Sequence, residues 1–214
     1  MGSFDPVFLA VVLGGLALIP LFVVAATAFL KISTVLLLVR NALGVQQIPP
    51  NLAIYGVAMI LALFVMSPTL SAMSDSLKTG SRSDDLQTWV ARGQEAGEPL
   101  RAFLNKFARP DQKKLFFETA KRMLPEKDRA GLSDTDFVIL LPAFVTSELT
   151  AAFEIGFLLY LPFVIIDLLV SNILLALGMM MVSPMTISLP LKLLLFVSID
   201  GWSRLLHGLV LGYV

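Results

Sequence analysis

The chain contains no cysteine, and only one of its 214 residues is a histidine, His207. Without cysteine there is no disulfide, no thiolate nucleophile and no cysteine metal site, and oxidising and reducing compartments fit equally well. One imidazole cannot build a histidine metal site within a single chain. Charge is scarce as well: 15% of residues are Asp, Glu, Lys or Arg, against about 25% in an average soluble domain. The 16 basic residues balance the 16 acidic ones, so no basic field exists to attract nucleic acid. Catalytic signatures are missing too: no HExxH, GxSxG, GxxxxGKS/T or GxGxxG occurs. These absences leave no enzyme constellation and imply no cofactor and no bound metal.

What is abundant is apolar surface. Hydrophobic residues make up 57% of the chain, above the usual level of about 45–50%. Charge is also segregated: 12 of the 16 basic and 12 of the 16 acidic residues lie between Asp75 and Glu148. The expected organisation is therefore an all-α membrane protein in which two hydrophobic helical hairpins, 1–74 and 137–214, flank a small helical extracytoplasmic domain at 75–136. No β-type alternation is visible. Pro6 to Leu30 carries no charge, and a span needs about 20 apolar residues, so a helix is expected from there to near Arg40 with a kink at Pro20. This run is longer than a signal-peptide core and lacks a basic flank, so it reads as retained.

The polar turn from Gly44 to Asn51, with Pro49 and Pro50, should end that helix and begin a second one running to about Met73, interrupted at Ser67-Pro68. In the insert, Ser81–Asp85 reads as a loop and cap, Trp89 as a core residue, and Pro99 and Pro110 as helix starts. Leu100, Phe103, Leu104 and Phe107 have helical spacing, as do Leu115, Phe116, Ala120 and Met123. About 60 residues make a small independent core, so the insert is expected to pack against copies of itself or a partner. Ser133 or Asp134 should cap a third helix, Phe137 to Leu177. A fourth is expected from about Met185 to Tyr213. Arg40 and Lys192 lie near the two turns, which the positive-inside tendency places in the cytoplasm with the insert outside.

Ionisable groups inside apolar helices are expensive and rarely face lipid. Lys31, Glu148, Glu154, Asp167, Lys192, Asp200 and Arg204 are such groups, and buried ion pairs between helices or subunits are the simplest reading of them. Asp200 and Arg204 stand at i,i+4 on one face. The competing reading is an ion or small-molecule transporter in which Lys31, Asp167 and Asp200 form a relay. His207 reads as an interface histidine. Gly14-Gly15 would permit close helix approach, and Trp202 and Tyr213 suit interfacial anchors.

Four stretches in order are specific. They are Arg40 to Asn51 (RNALGVQQIPPN, with Lys31-Ile32 before it), Pro142 to Phe157 (PAFVTSELTAAFEIGF), Asp167 to Pro184 (DLLVSNILLALGMMMVSP) and Pro190 to Trp202 (PLKLLLFVSIDGW). Together they resemble the SctR/FliP family, the core export-gate subunit of type III secretion systems and flagella, over nearly the whole chain. The start directly on an apolar helix resembles the injectisome branch, SctR. Ala176-Leu177 departs from a Ser-Met pair common in the family, with no loss of function expected.

The resemblance implies a virulence-associated protein-secretion pore in the bacterial inner membrane, with the middle domain in the periplasm and no catalysis of its own. Five copies would assemble with SctS-like and SctT-like subunits, beside SctU-like and SctV-like components, and pass unfolded secreted polypeptides. It also implies that Met179, Met180 and Met181 form a gasket at the pore constriction. Three consecutive residues on a straight helix point about 100° apart, so a gasket requires a helix break there.

Overall fold

The structure, a computed structural model, describes residues 6–45, 47–78, 86–129 and 131–214. All regular structure among them is helical: α1 (Pro6–Ala26), α2 (Phe29–Ala42), α3 (Asn51–Lys78), α4 (Leu86–Phe107), α5 (Pro110–Met123), α6 (Glu126–Arg129), α7 (Phe137–Ala176), α8 (Pro184–Ser198) and α9 (Gly201–Leu211). Two helices, α3 over Asn51–Ser76 and α7, are long and apolar enough to cross a membrane, and two bent pairs would bring the number to four. The chain is an all-α membrane protein.

The terminal helices bend where the sequence did not announce it. The first expected helix continues through Pro20 and breaks at Thr27-Ala28, where Pro20–Ala26 and Phe29–Ala42 meet at 79°. Thr27 supplies the cause: its hydroxyl donates to the Val23 carbonyl at 2.6 Å and accepts from the Phe29 N–H at 3.3 Å, replacing ladder bonds by side-chain ones. The fourth helix breaks at Ile199-Asp200 with a 61° bend between α8 and α9. Asp200 takes the left-handed conformation, φ 54°, which Asp tolerates better than most residues. Gly201 follows because a Cβ there would stand 2.4 Å from the Phe196 ring. In contrast α3 passes through Pro68, and α4 passes through Pro99 instead of starting at it. Burial of Ala96, Leu100, Phe103 and Leu104 along α4 offsets the penalty of about 3 kcal/mol for an internal proline. Pro110 does open α5 as expected, and Asp136 rather than Ser133 or Asp134 is the N-cap of α7. The Asp136 carboxylate accepts the Ser133 N–H at 2.8 Å.

Helix α2 is central and packs against α7 on one side and α3 on the other, while α4 lies against α3 and α7. The terminal hairpins therefore share one core. That core also takes in the insert: Leu100, Phe103, Leu104 and Ala108 belong to the same buried cluster as Ile32, Leu36, Ala143 and Phe144. The apolar face of α4 is thus covered by the chain itself, where a partner was expected. Helix α5 differs: none of its residues is buried, and Leu115 and Met123 are exposed. The boundary expected at 74 falls inside α3. Ser81–Asp85 and the Trp89 side chain lie outside the described residues. Gly156 lets α2 and α7 approach closely, since a Cβ there would fall 2.3 Å from Leu38 Cδ1.

Candidate functional site

The first feature is a caged ion pair. Lys31, in the first turns of α2, places Nζ 3.2 Å from Glu148 Oε1 on α7, and both residues are buried. The Tyr213 hydroxyl donates to the other Glu148 oxygen, and the Tyr213 ring lies 3.7 Å below the Lys31 ammonium. Phe103 stacks on that ring at 6.1 Å and Phe107 meets it edge-on at 5.0 Å. Each charge therefore has a partner, the condition under which ions are tolerated in an apolar interior. Tyr213, an expected interfacial anchor, is instead 7% exposed and closes the cage. Trp202 is exposed, with its ring edge-on to Phe196 at 5.4 Å.

The second feature links three helices. Lys192 on α8 is buried and its Nζ stands 2.5 Å from Asp167 Oδ2 on α7 and 3.2 Å from the carbonyl of Ala42, the last residue of α2. The carbonyl end of a helix carries partial negative charge, so the ammonium is neutralised from two directions.

The remaining site residues behave differently. Glu154 is half-exposed and binds Arg109, Nη2 to Oε2 at 2.6 Å, while the Arg109 N–H donates to Ser147 Oγ at 2.9 Å. These bonds tie the α4–α5 junction to α7. Asp200 and Arg204 are exposed in the single chain and form no ion pair among the described residues. Asp200 is the N-cap of α9, at the 61° bend, and the Arg204 N–H donates to its carbonyl at 3.1 Å. His207 is exposed, and no cluster of potential metal ligands occurs among the described residues. The partners Tyr213, Arg109 and Ser147 carried no sequence signal for these roles, because each comes from a distant element. Arg40 is similar: it clamps its own turn by donating to Asn51 Oδ1 at 2.6 Å and the Pro49 carbonyl at 3.2 Å.

The third feature is the turn between α7 and α8. Gly178, φ 72°, ends α7: its N–H donates to the Leu175 carbonyl at 3.0 Å and the Met179 N–H to the Leu174 carbonyl at 2.9 Å. This paired closure is the Schellman motif. Pro184 then opens α8 as its first residue. Met179, Met180 and Met181 occupy the turn between them, 43%, 82% and 101% exposed. A helix would fan them apart; the turn frees all three.

Residues 12–209 match the FliP family model. The chain belongs to the FliP family. Among its relatives, Yop proteins translocation protein R of Yersinia pestis is 52% identical over 98% of this chain and 97% of its own length. Harpin secretion protein HrcR of Erwinia amylovora is 49% identical over 99% of this chain and 98% of its own. Virulence protein YscR of Salmonella typhimurium is 46% identical, with 96% of each chain covered. Family membership and the apolar helices agree on a membrane protein of the secretion apparatus.

Proposed function

We propose that this chain is the pore-forming subunit of a type III secretion export gate, and that Met179–Met181 supply its constriction. The observation that carries the reading is the methionine turn, three consecutive thioether side chains presented together at the tip of a helical hairpin. Methionine is unbranched and flexible, so a ring of such tips can mould around passing polypeptides of varied sequence. When empty, an apolar constriction resists ions by dewetting. One chain supplies one tip, so the pore needs several copies, five in the family's arrangement, completed by SctS-like and SctT-like subunits. The site lies at the bacterial inner membrane with the insert on the periplasmic side, beside SctU-like and SctV-like components, and the chain catalyses no reaction.

Large exposed apolar side chains on α3, α7 and α8, among them Phe64, Phe157, Leu168 and Leu194, supply surface for neighbours or lipid. Helix α7 has 40 residues, about 60 Å at the helical rise, twice a hydrocarbon core of about 30 Å. The assembled hairpins therefore extend beyond the bilayer core. The relay reading has weaker support: Lys31 and Asp167 are held by separate partners, and Asp200 sits exposed at a helix break.

The test replaces Met179–Met181 with alanine in the assembled gate and measures small-ion leak across the membrane. A clear rise in leak with normal assembly is expected. Unchanged leak from a fully assembled gate would remove the methionines from the constriction.

A further inference from the structure

We infer that Asp167 and Lys192 are positioning residues for the methionine turn: their ion pair sets where the tip of the α7–α8 hairpin stands relative to the end of α2. The inference rests on the gasket reading above. Asp167 lies eleven residues before Gly178, and Lys192 eight residues after Pro184, about 16 and 12 Å along their helices. The pair therefore joins the two arms of the hairpin at similar depths below the tip.

Lys192 also reaches the Ala42 carbonyl, and α2 is fastened to α7 at its other end by Lys31–Glu148. Helices α2 and α7 thus form a frame held at two levels, and Lys192 fixes α8 to that frame just under the turn. A cleft of about 430 Å³ opens at the root of the turn, with Asp167, Lys192, Ser183, Met185 and Gly44 among its lining residues. Space at this root leaves the tip without dense packing to locate it. Directed bonds can do so: a buried ammonium with two acceptors loses both if α8 slides or rotates, which leaves an unpaired buried cation. Met180 and Met181 are largely bare and Met179 is about half covered, so the position of the tip is inherited from the clamp.

A fold-holding role alone predicts different behaviour, and the two separate when ion leak is counted per assembled gate. The main variant is Asp167→Leu with Lys192→Met, which removes both charges and leaves no buried ion unpaired. Expected are normal amounts of assembled gate and a leak raised about tenfold, within the range by which contacting groups couple. Lys192→Arg keeps the charge and the donors, so its leak should rise less than that of the double variant. Adding the double variant to Met179–Met181→Ala should raise the leak no further, because both changes act through one barrier. Lys31→Met, at the distant cage, should lower the amount of gate without raising leak per gate. A tight double-variant gate beside a leaky triple-alanine gate overturns the positioning role. A leaky double variant beside a tight triple-alanine gate overturns the gasket reading instead. Loss of assembly in the double variant, parallel to Lys31→Met, reduces the pair to a fold-holding element and also overturns the proposal.

Discussion

The cage around Glu148 and the turn at Met179–Met181 use opposite means to opposite ends. In the cage the charges are paired and enclosed: Lys31, Glu148 and Tyr213 satisfy one another, with Phe103 buried and Phe107 partly buried against the Tyr213 ring. In the turn, backbone bonds are satisfied by the helix closure, and the Met180 and Met181 side chains touch little. The cage holds long-range structure, joining α2, α7 and the chain after α9. The turn presents flexible apolar surface at a place the frame has prepared. The difference teaches that conserving volume and charge matters in one region, and chemical character at the surface in the other.

The largest effect should come from breaking the cage. Glu148→Leu strands Lys31 as a buried cation and should cost about 3–5 kcal/mol, read as a lower midpoint in detergent thermal unfolding. Adding Lys31→Met should recover a good part of that loss; no recovery would mean that the two residues act independently. Next comes Gly156→Ala, whose new Cβ meets Leu38 at 2.3 Å. Overpacking of this kind costs about 1–3 kcal/mol, and Leu38→Ala in the same chain should restore part of it in the same unfolding assay. Smallest is Met180→Ala in the isolated chain: at 82% exposure its effect on unfolding should stay within about 0.5 kcal/mol. A larger shift would place Met180 in the fold's own packing and blur the contrast between the two regions.

Much of this was legible in the residues. Long uncharged runs, the charge-rich insert and the Gly-Pro turn at Gly44–Pro50 pointed to helices and their order, because periodic apolar side chains and backbone-restricted residues act locally. The methionine turn was legible for the same reason: Gly178 and Pro184 are helix-stop and helix-start residues placed around Met179–Met181. Less could be read of the breaks at Thr27-Ala28 and Ile199-Asp200. Prolines looked like the natural breakers, yet Pro20, Pro68 and Pro99 lie inside helices while a threonine hydroxyl and a left-handed aspartate make the bends. At Pro99 the burial of Ala96, Leu100, Phe103 and Leu104 outweighs local preference.

The sequence by itself determined the helical class, the apolar character, the lack of metal-binding cysteine and the place of a methionine-rich turn, all of which depend on composition or on neighbours a few residues apart; the exposure of that turn came from the structure. Only the tertiary structure decided who pairs with whom. Lys31 meets Glu148 across 117 positions and Lys192 meets Ala42 across 150. Glu154 takes Arg109, while Asp200 and Arg204 form no ion pair among the described residues. Seven charged residues in apolar segments admit many pairings, and periodicity along one helix says nothing about which face of another will meet it. That choice is made by the close approach of α2 and α7 at Gly156, and by the turns that bring α8 and α9 back onto them.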